Sequence, residues 1–263
     1  MKKILILLVC YISLFGKVYY AKVEPYELDV ISSNVSGEVL YTDENMIGKI
    51  LGSKPFLKID SSVDKNELKT IKEKIKLIEE TLKLNEQMVA NYEALIKRKD
   101  ENYKRIEGLK IKSKVEKDRE FYDLVNSRNS YLLVKKEINN LKTTLSDLYH
   151  RKMLLEKSIR DKTVTAKGFM LYSIDVKPSQ VVSPMTPLAK VADVSKAILS
   201  VYVDEDELKG IKNKSIYLDG VKTSYKITRM LNIADTKSIS KYKVQIVISP
   251  PKVFSKLLKV EFK

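Results

Sequence analysis

A polypeptide that does covalent chemistry needs a nucleophile with a base, a metal cage or a cradle for phosphate. This chain of 263 residues offers little of any: one Cys, one His, no Trp and 8 Gly. A Cys/His zinc site needs about four such ligands, so it is excluded, and so is a disulfide framework. A catalytic triad would have to use His150, which stands beside Tyr149 and reads as a surface residue. Neither GxGxxG nor GxxxxGK(S/T) occurs, so no glycine-rich loop is present for a phosphate. The acid pairs Glu79-Glu80 and Asp204-Glu205 have no partner base and read as solvated charge. No catalytic, metal or cofactor site is expected. What stands out instead is a pair of apolar residues, Leu109 and Ile111, in a short turn where water would be the neighbour. Such residues dock rather than react.

That turn is held by two long helical patterns. From Leu68 the sequence Leu68, Ile71, Ile75, Ile78, Leu82, Asn85, Val89, Tyr92, Ile96, Lys99, Tyr103, Ile106 alternates spacings of 3 and 4, and all but Asn85 and Lys99 are apolar or aromatic. This is a coiled-coil seam rather than the broader stripe of a globular helix. A second seam runs Tyr131, Val134, Ile138, Leu141, Leu145, Leu148, Lys152, Leu155, Ile159. Between them, Gly108 can take the left-handed conformation that ends a helix. Ser113 with Glu116 three residues later is a capping-box signature that starts another. Two nearly equal arms about a short turn predict an antiparallel hairpin over residues 63–162. At ~1.5 Å per residue each arm reaches ~65–70 Å. The apolar grid shifts phase around Val115–Val125, which predicts looser packing near the tip.

The hairpin interrupts a duplicated β-motif. Residues 31–62 run strand, Gly37, strand, then Pro55, apolar residues and Asp60. Residues 163–193 repeat the plan with Gly168, Pro178, Pro184, Pro187 and Asp193. The two copies are expected to close into one β-sandwich, both arms leaving from one side. After Asp193, alternating segments at 197–203, 215–218, 225–230, 241–248 and 257–262 predict a small β-barrel, with residues 22–30 added to it and a short acidic helix near 204–212. Met1-Lys2-Lys3 followed by the apolar run Ile4–Phe15 is a leader for export. Cleavage is expected after Gly16 or Ala21, with residues 1–21 as the signal peptide. The net charge of +15 falls to +12 once Lys2, Lys3 and Lys17 leave with it. An exported chain meets no nucleic acid, so this charge reads as a solvated face that anionic headgroups would favour.

The order half-motif, hairpin, half-motif, barrel resembles the periplasmic adaptors, or membrane fusion proteins of the HlyD type, over nearly the whole chain after the leader. The fold implied is α+β: a long antiparallel α-helical coiled-coil hairpin inserted in a split lipoyl-like β-sandwich, followed by a small β-barrel. Positions usually Gly in the sandwich turns are Ser53, Ser179 and Met185 here, which predicts less regular turns. The resemblance also brings a carrier reading, but a lipoate or biotin carrier needs its Lys at a tight hairpin tip, and Lys167 precedes Gly168 at the hairpin junction. Many members continue into a membrane-proximal domain, expected here to be absent or reduced to the few residues before Ile31. The resemblance implies a non-enzymatic subunit at the periplasmic face of the inner membrane of a Gram-negative envelope. It would link an inner-membrane transporter, a proton-driven resistance–nodulation–division pump being favoured, to an outer-membrane channel tunnel, and associate as a trimer or hexamer. An ATP-driven exporter or type I secretion system is the alternative setting, and a structural coiled-coil envelope protein the alternative role. Many adaptors carry Arg-x3-Leu-x6-Ser across the tip. The frame falls on Asn102, Ile106 and Ser113, with Arg105 one turn nearer the tip as a substitute for the missing Arg. The resemblance thus implies a channel-contact tip of Asn102, Arg105, Ile106, Gly108, Leu109, Ile111 and Ser113.

The seam assignment has a direct consequence. Ile75→Asp or Leu145→Asp should lower the melting temperature of the hairpin sharply, because a lone carboxylate in an apolar seam costs a few kcal/mol. Lys72→Asp should be mild. Melting followed by circular dichroism separates the two, and equal midpoints would overturn the assignment.

Overall fold

Two uninterrupted helical patterns give two uninterrupted helices. The structure is a computed structural model that describes residues 17–234 and 240–263. Its first elements are β1 (Val18–Ser32), β2 (Gly37–Thr42), β3 (Leu57–Ile59), α1 (Ser62–Glu107) and α2 (Lys114–Asp161). With 46 and 48 residues, the helices span ~70 Å each. All twelve seam positions of the first grid are buried or half-buried, and Ile71 and Ile75 are only 6% exposed. Across from them Ile138, Leu145 and Leu155 are buried.

The expected phase shift and loose tip are not found. The spacing of 3 and 4 continues tipward from Tyr131 through Ser127, Leu124, Glu120 and Lys117, all buried or half-buried. Leu124, at 2% exposure, is the most enclosed residue of the hairpin. The seam keeps its geometry and changes its chemistry. Lys99 Nζ donates to the Asp123 carbonyl at 3.2 Å, and Asn102 Nδ2 donates to Glu120 Oε2 at 3.2 Å. The Tyr103 and Phe121 rings meet at 5.7 Å. Following apolar residues alone loses a grid that polar side chains occupy.

The chain then forms β4 (Thr163–Val164), β5 (Met170–Ile174), β6 (Val181–Val182) and β7 (Pro187–Val203). One sheet has the order β4-β3-β2-β6, so two strands from before the hairpin are flanked by two from after it. Val39, Leu51, Phe56, Leu57 and Ile59 share one core with Val164, Leu171, Val182, Leu188 and Val191. Two of the sandwich turns are more regular than expected. Ser179 (φ 66°) and Met185 (φ 72°) take the glycine-like conformation after Pro178 and Pro184, and Gln180 and Thr186 close the turns onto Lys177 and Ser183. Met185 is held there by its N–H on the Ser33 carbonyl at 2.7 Å, while Ser33 N–H returns to Thr186 at 2.8 Å. The two halves of the motif thus lock each other.

The remaining elements are α3 (Glu205–Leu208), β8 (Ile216–Leu218), β9 (Val221–Lys222), β10 (Ile227–Ala234), β11 (Tyr242–Ile248) and β12 (Leu257–Phe262). They join β1 and β7 in a sheet of order β10-β11-β7-β1-β12-β8-β9. Its core holds Ala21, Val23, Leu199, Val201, Val244, Ile246 and Val260. Two domain edges differ from the sequence reading. The edge at Asp193 falls inside β7, whose first part pairs with Glu27–Ser32 and whose last part pairs with β11. The edge at Ala21 falls inside β1: Val18–Lys22 pair with Leu257–Glu261, and Ala21 is 1% exposed. Periodicity cannot mark a domain edge crossed by a continuous strand. Of the leader, Met1–Gly16 lie outside the described residues.

The two arms of the hairpin are tied together at its root by an enclosed ion pair. Lys162 Nζ lies 3.0 Å from Asp64 Oδ2, and Ser158 Oγ donates to the same oxygen at 2.6 Å. Gly37 makes room beside this root, since a Cβ there would meet Ile59 Cγ2 at 2.7 Å. Burial raises the Asp64 pKa, but the Ser158 and Lys162 hydrogen bonds and the Lys162 and Arg151 charges outweigh it and hold the carboxyl below its ordinary value of 3.8. A depressed folded-state pKa means that the contribution to stability is full above the unfolded value and is lost as pH falls through the folded one. Asp64→Asn should therefore destabilise the protein by about 3 kcal/mol at neutral pH, leaving Lys162 enclosed and unpaired, and should flatten the acid limb below pH 4. Denaturant midpoints across pH 2–7 measure both, and an unchanged acid limb would show that the pair does not hold the root.

Candidate docking tip of the hairpin

The turn between the helices is built by caps at both of its ends. At the far end Ser113 N–H donates to Glu116 Oε2 at 3.0 Å, and Glu116 N–H donates back to Ser113 Oγ at 3.3 Å. This is the reciprocal capping box expected of the pair. Lys112 Nζ adds an ion pair to Glu116 at 3.0 Å. The Lys112 hydrogen bond, followed by those from the Ser113 N–H and hydroxyl, holds the Glu116 carboxyl down to about 2, with only burial opposing.

At the near end the expected left-handed glycine is not found. Gly108 sits at φ −76°, ψ −11°, in the right-handed region, and a Cβ there would meet nothing within 4 Å. Leu109 N–H closes the turn onto the Ile106 carbonyl at 3.1 Å. The end of α1 is capped instead from across the hairpin, where Lys117 Nζ donates to the Glu107 carbonyl at 2.8 Å. A cation on the last carbonyls of a helix also suits its negative end.

The residues expected at the tip divide into two sets. Asn102, Ile106 and Ser113 are engaged in the hairpin itself: Asn102 on Glu120, Ile106 half-buried as the last seam residue, Ser113 as the cap. Arg105, Gly108, Leu109 and Ile111 face solvent, with Ile111 90% exposed. The first turns of α2 expose further residues that the sequence reading did not place at the tip. Val115 is 77% exposed and Tyr122 64%, seven residues apart on one face of α2. Phe121 stacks edge-on to Tyr122 at 6.0 Å. Their signal in the sequence is that they fall off the 3-4 grid while remaining large and apolar. Lys110 and Lys114 flank the group and are exposed. The result is a small apolar knob with a basic rim, at the end of a rigid rod. It can bind a complementary surface, and nothing in it can transfer a group.

Elsewhere, His150 and Lys167 are exposed. Among the described residues no cluster of three His, Cys, Asp or Glu is placed to hold a metal ion, and no helix is long and apolar enough to cross a membrane.

No family model and no curated protein matches this chain. Solved structures do. MacA from Actinobacillus actinomycetemcomitans superposes with a TM-score of 0.64 at 17% identity, over 94% of this chain and 78% of that one. A MacA–MexA chimera containing the Pseudomonas aeruginosa MexA α-hairpin domain gives 0.57 at 15% identity, covering 94% and 81%. The membrane fusion protein Spr0693 from Streptococcus pneumoniae R6 gives 0.57 at 9% identity, covering 94% and 99%. The chain thus has the α+β fold of the membrane fusion proteins, hairpin included.

Removing one cap tests how the tip is held. Ser113→Ala should cost about 1 kcal/mol and speed amide exchange over Lys114–Lys117, while the far end of the hairpin keeps its protection. Unchanged exchange at those amides would mean that the capping box does not order the turn.

Proposed function

We propose that this chain is the adaptor subunit of a tripartite export system, linking an inner-membrane transporter to an outer-membrane channel. The observation that carries the reading is the hairpin: a rod of ~70 Å with a seam closed along its length, rooted by an enclosed ion pair and ending in an exposed apolar knob. A rod much longer than any core requires has its use at its end. In this reading the knob of Leu109, Ile111 and Val115 meets the channel, with Arg105, Lys110 and Lys114 at its rim, and the β-domains at the other end meet the transporter. Asn102, Ile106 and Ser113 take part by setting the shape of the tip. The resemblance supports a proton-driven pump of the resistance–nodulation–division type, assembly of the chain into a trimer or hexamer, and work in the periplasm against the inner membrane. The role is mechanical and interfacial, with the transporter supplying the energy. A leader ending at or before Gly16 leaves β1 whole, whereas cleavage after Ala21 would remove a strand segment and a core residue.

Leu109→Asp with Ile111→Asp separates docking from folding. Both side chains are exposed, so helicity and melting should stay within about 0.5 kcal/mol of the parent, while export falls to the level of a strain lacking the protein. Intact fold with full export would overturn the tip assignment. Collapse of helicity would show that these residues belong to the core.

A further inference from the structure

Residues opposite one another on paired strands point to the same side of a sheet. Ala21 and Val23 of β1 and Val260 and Phe262 of β12 lie in the barrel core, so the residues that alternate with them form the outer face. Three rows of that face follow from the register. Val18 stands opposite Glu261, Glu261 opposite Tyr217, and Tyr217 opposite Lys222. Tyr20 stands opposite Lys259, and Lys22 opposite Leu257. Tyr20 is 70% exposed, Leu257 63% and Val18 41%.

The charge on this face is one-sided. Its acid, Glu261, is buried beneath two lysines, with Lys259 Nζ 2.6 Å from Oε1 and Lys263 Nζ 2.5 Å from Oε2. Lys263 Nζ also stands 4.8 Å from the centre of the Tyr217 ring. Lys22 and Lys222 are exposed, with no ion pair among the described residues. The far half of the same sheet is different: around a cavity of about 200 Å³ between Tyr26 and Val247, Arg229 is balanced by Glu27.

Lysines interleaved with an exposed tyrosine and aliphatic side chains suit the boundary between water and lipid. Tyrosine sits at headgroup level, aliphatic groups enter just below it, and lysines are drawn to an anionic surface. Position argues for the same partner. Val18–Lys22 is the stretch of β1 that precedes the part paired along the sandwich, Glu27–Ser32, so the face lies at the end of the strand away from the sandwich. The apolar leader run ends at Phe15 and β1 begins at Val18. When the leader enters a membrane, only Gly16 and Lys17 separate that membrane from this face.

We propose that the outer face of β1, β12, β8 and β9 docks on the surface of an anionic phospholipid bilayer. Lys22, Lys222, Lys259 and Lys263 meet the headgroup phosphates, while Tyr20, Leu257 and Val18 dip beneath them. The contact needs no spanning segment, and it persists after the leader is cut. The face itself rests on the strands alone; that its bilayer is the inner membrane rests on the adaptor reading.

Vesicle sedimentation tests it with the chain from Lys17 onward, which holds every described element of the fold and lacks the apolar leader. The chain should pellet with vesicles of equal parts phosphatidylcholine and phosphatidylglycerol, be released by salt, and stay in solution with phosphatidylcholine alone. Lys22→Gln with Lys222→Gln should weaken binding about thirtyfold, and Tyr20→Ser with Leu257→Ser should weaken it as well, with melting unchanged. Lys136→Gln with Lys142→Gln removes the same charge from exposed sites on the hairpin and should change binding by less than about twofold. Absence of binding, equal binding to both vesicles, or equal losses from the barrel and hairpin pairs overturns the proposal. The tip is the other apolar surface with a basic rim, so Leu109→Asp with Ile111→Asp is measured too. It should leave vesicle binding whole, and loss of binding there would make the tip the lipid contact instead. The two readings fail separately. Vesicle binding through the barrel face with export indifferent to the tip substitutions sinks the adaptor reading and keeps the face. No vesicle binding with export sensitive to the tip does the reverse.

Discussion

The closure of the helical seam is the constraint on which the rest of the molecule depends. Two helices of 46 and 48 residues have no globular body to bury against for most of their length, so each can persist only by covering the other. The alternation of 3 and 4 keeps the covered stripe facing its partner over the whole rod. Everything beyond the sandwich follows from that stripe: the reach of the tip, its rigidity, and the fact that side chains off the grid must face either water or another molecule.

The seam is uneven in chemistry, and the unevenness matches position. Near the root it is aliphatic, with Ile71, Ile75, Leu145 and Leu155 buried. Toward the tip it becomes polar and aromatic, with Lys99, Asn102, Tyr103, Glu120 and Ser127 on the grid or beside it. Hydrogen bonds across the helices set a register more sharply than interchangeable aliphatic side chains can, at some cost in stability. Polar pairing thus fixes register near the tip, while aliphatic packing supplies cohesion near the root. The Asp64–Lys162 pair adds to that cohesion, because with the Ser158 hydrogen bond it ties the start of α1 to the end of α2.

The β-domains serve the rod by tying its two ends of chain together. Strands from both sides of the hairpin share one sheet, and β3 pairs with β4, so the helices leave from adjacent strands and stay antiparallel. β1 and β7 then run on into the barrel as one ribbon, which couples barrel, sandwich and root. The glycine-like turn at Met185 costs of order 1–2 kcal/mol, and the paired Ser33 hydrogen bonds offset it.

How much of this was legible beforehand depended on the range of the interaction. The hairpin was readable because a seam writes itself as a local period, and so was the Ser113–Glu116 cap, whose partners are three residues apart. The fold class followed from the order of such segments. The polar continuation of the seam through Lys117, Glu120 and Ser127 was not readable, since a polar residue on the grid shows its role only when its partner on the other helix is known. Nor was the right-handed Gly108, whose helix is capped by Lys117 from the opposite arm rather than by its own backbone. The domain edges at Ala21 and Asp193 fell inside strands because strand pairing is long-range and leaves no local mark. At the site, the sequence by itself determined that Leu109 and Ile111 sit in an exposed turn. Only the tertiary structure decided that Val115 and Tyr122 are exposed on the first turns of α2 while Asn102 and Ser113 are used up in holding the turn, because whether a side chain is free depends on what the other helix brings to it.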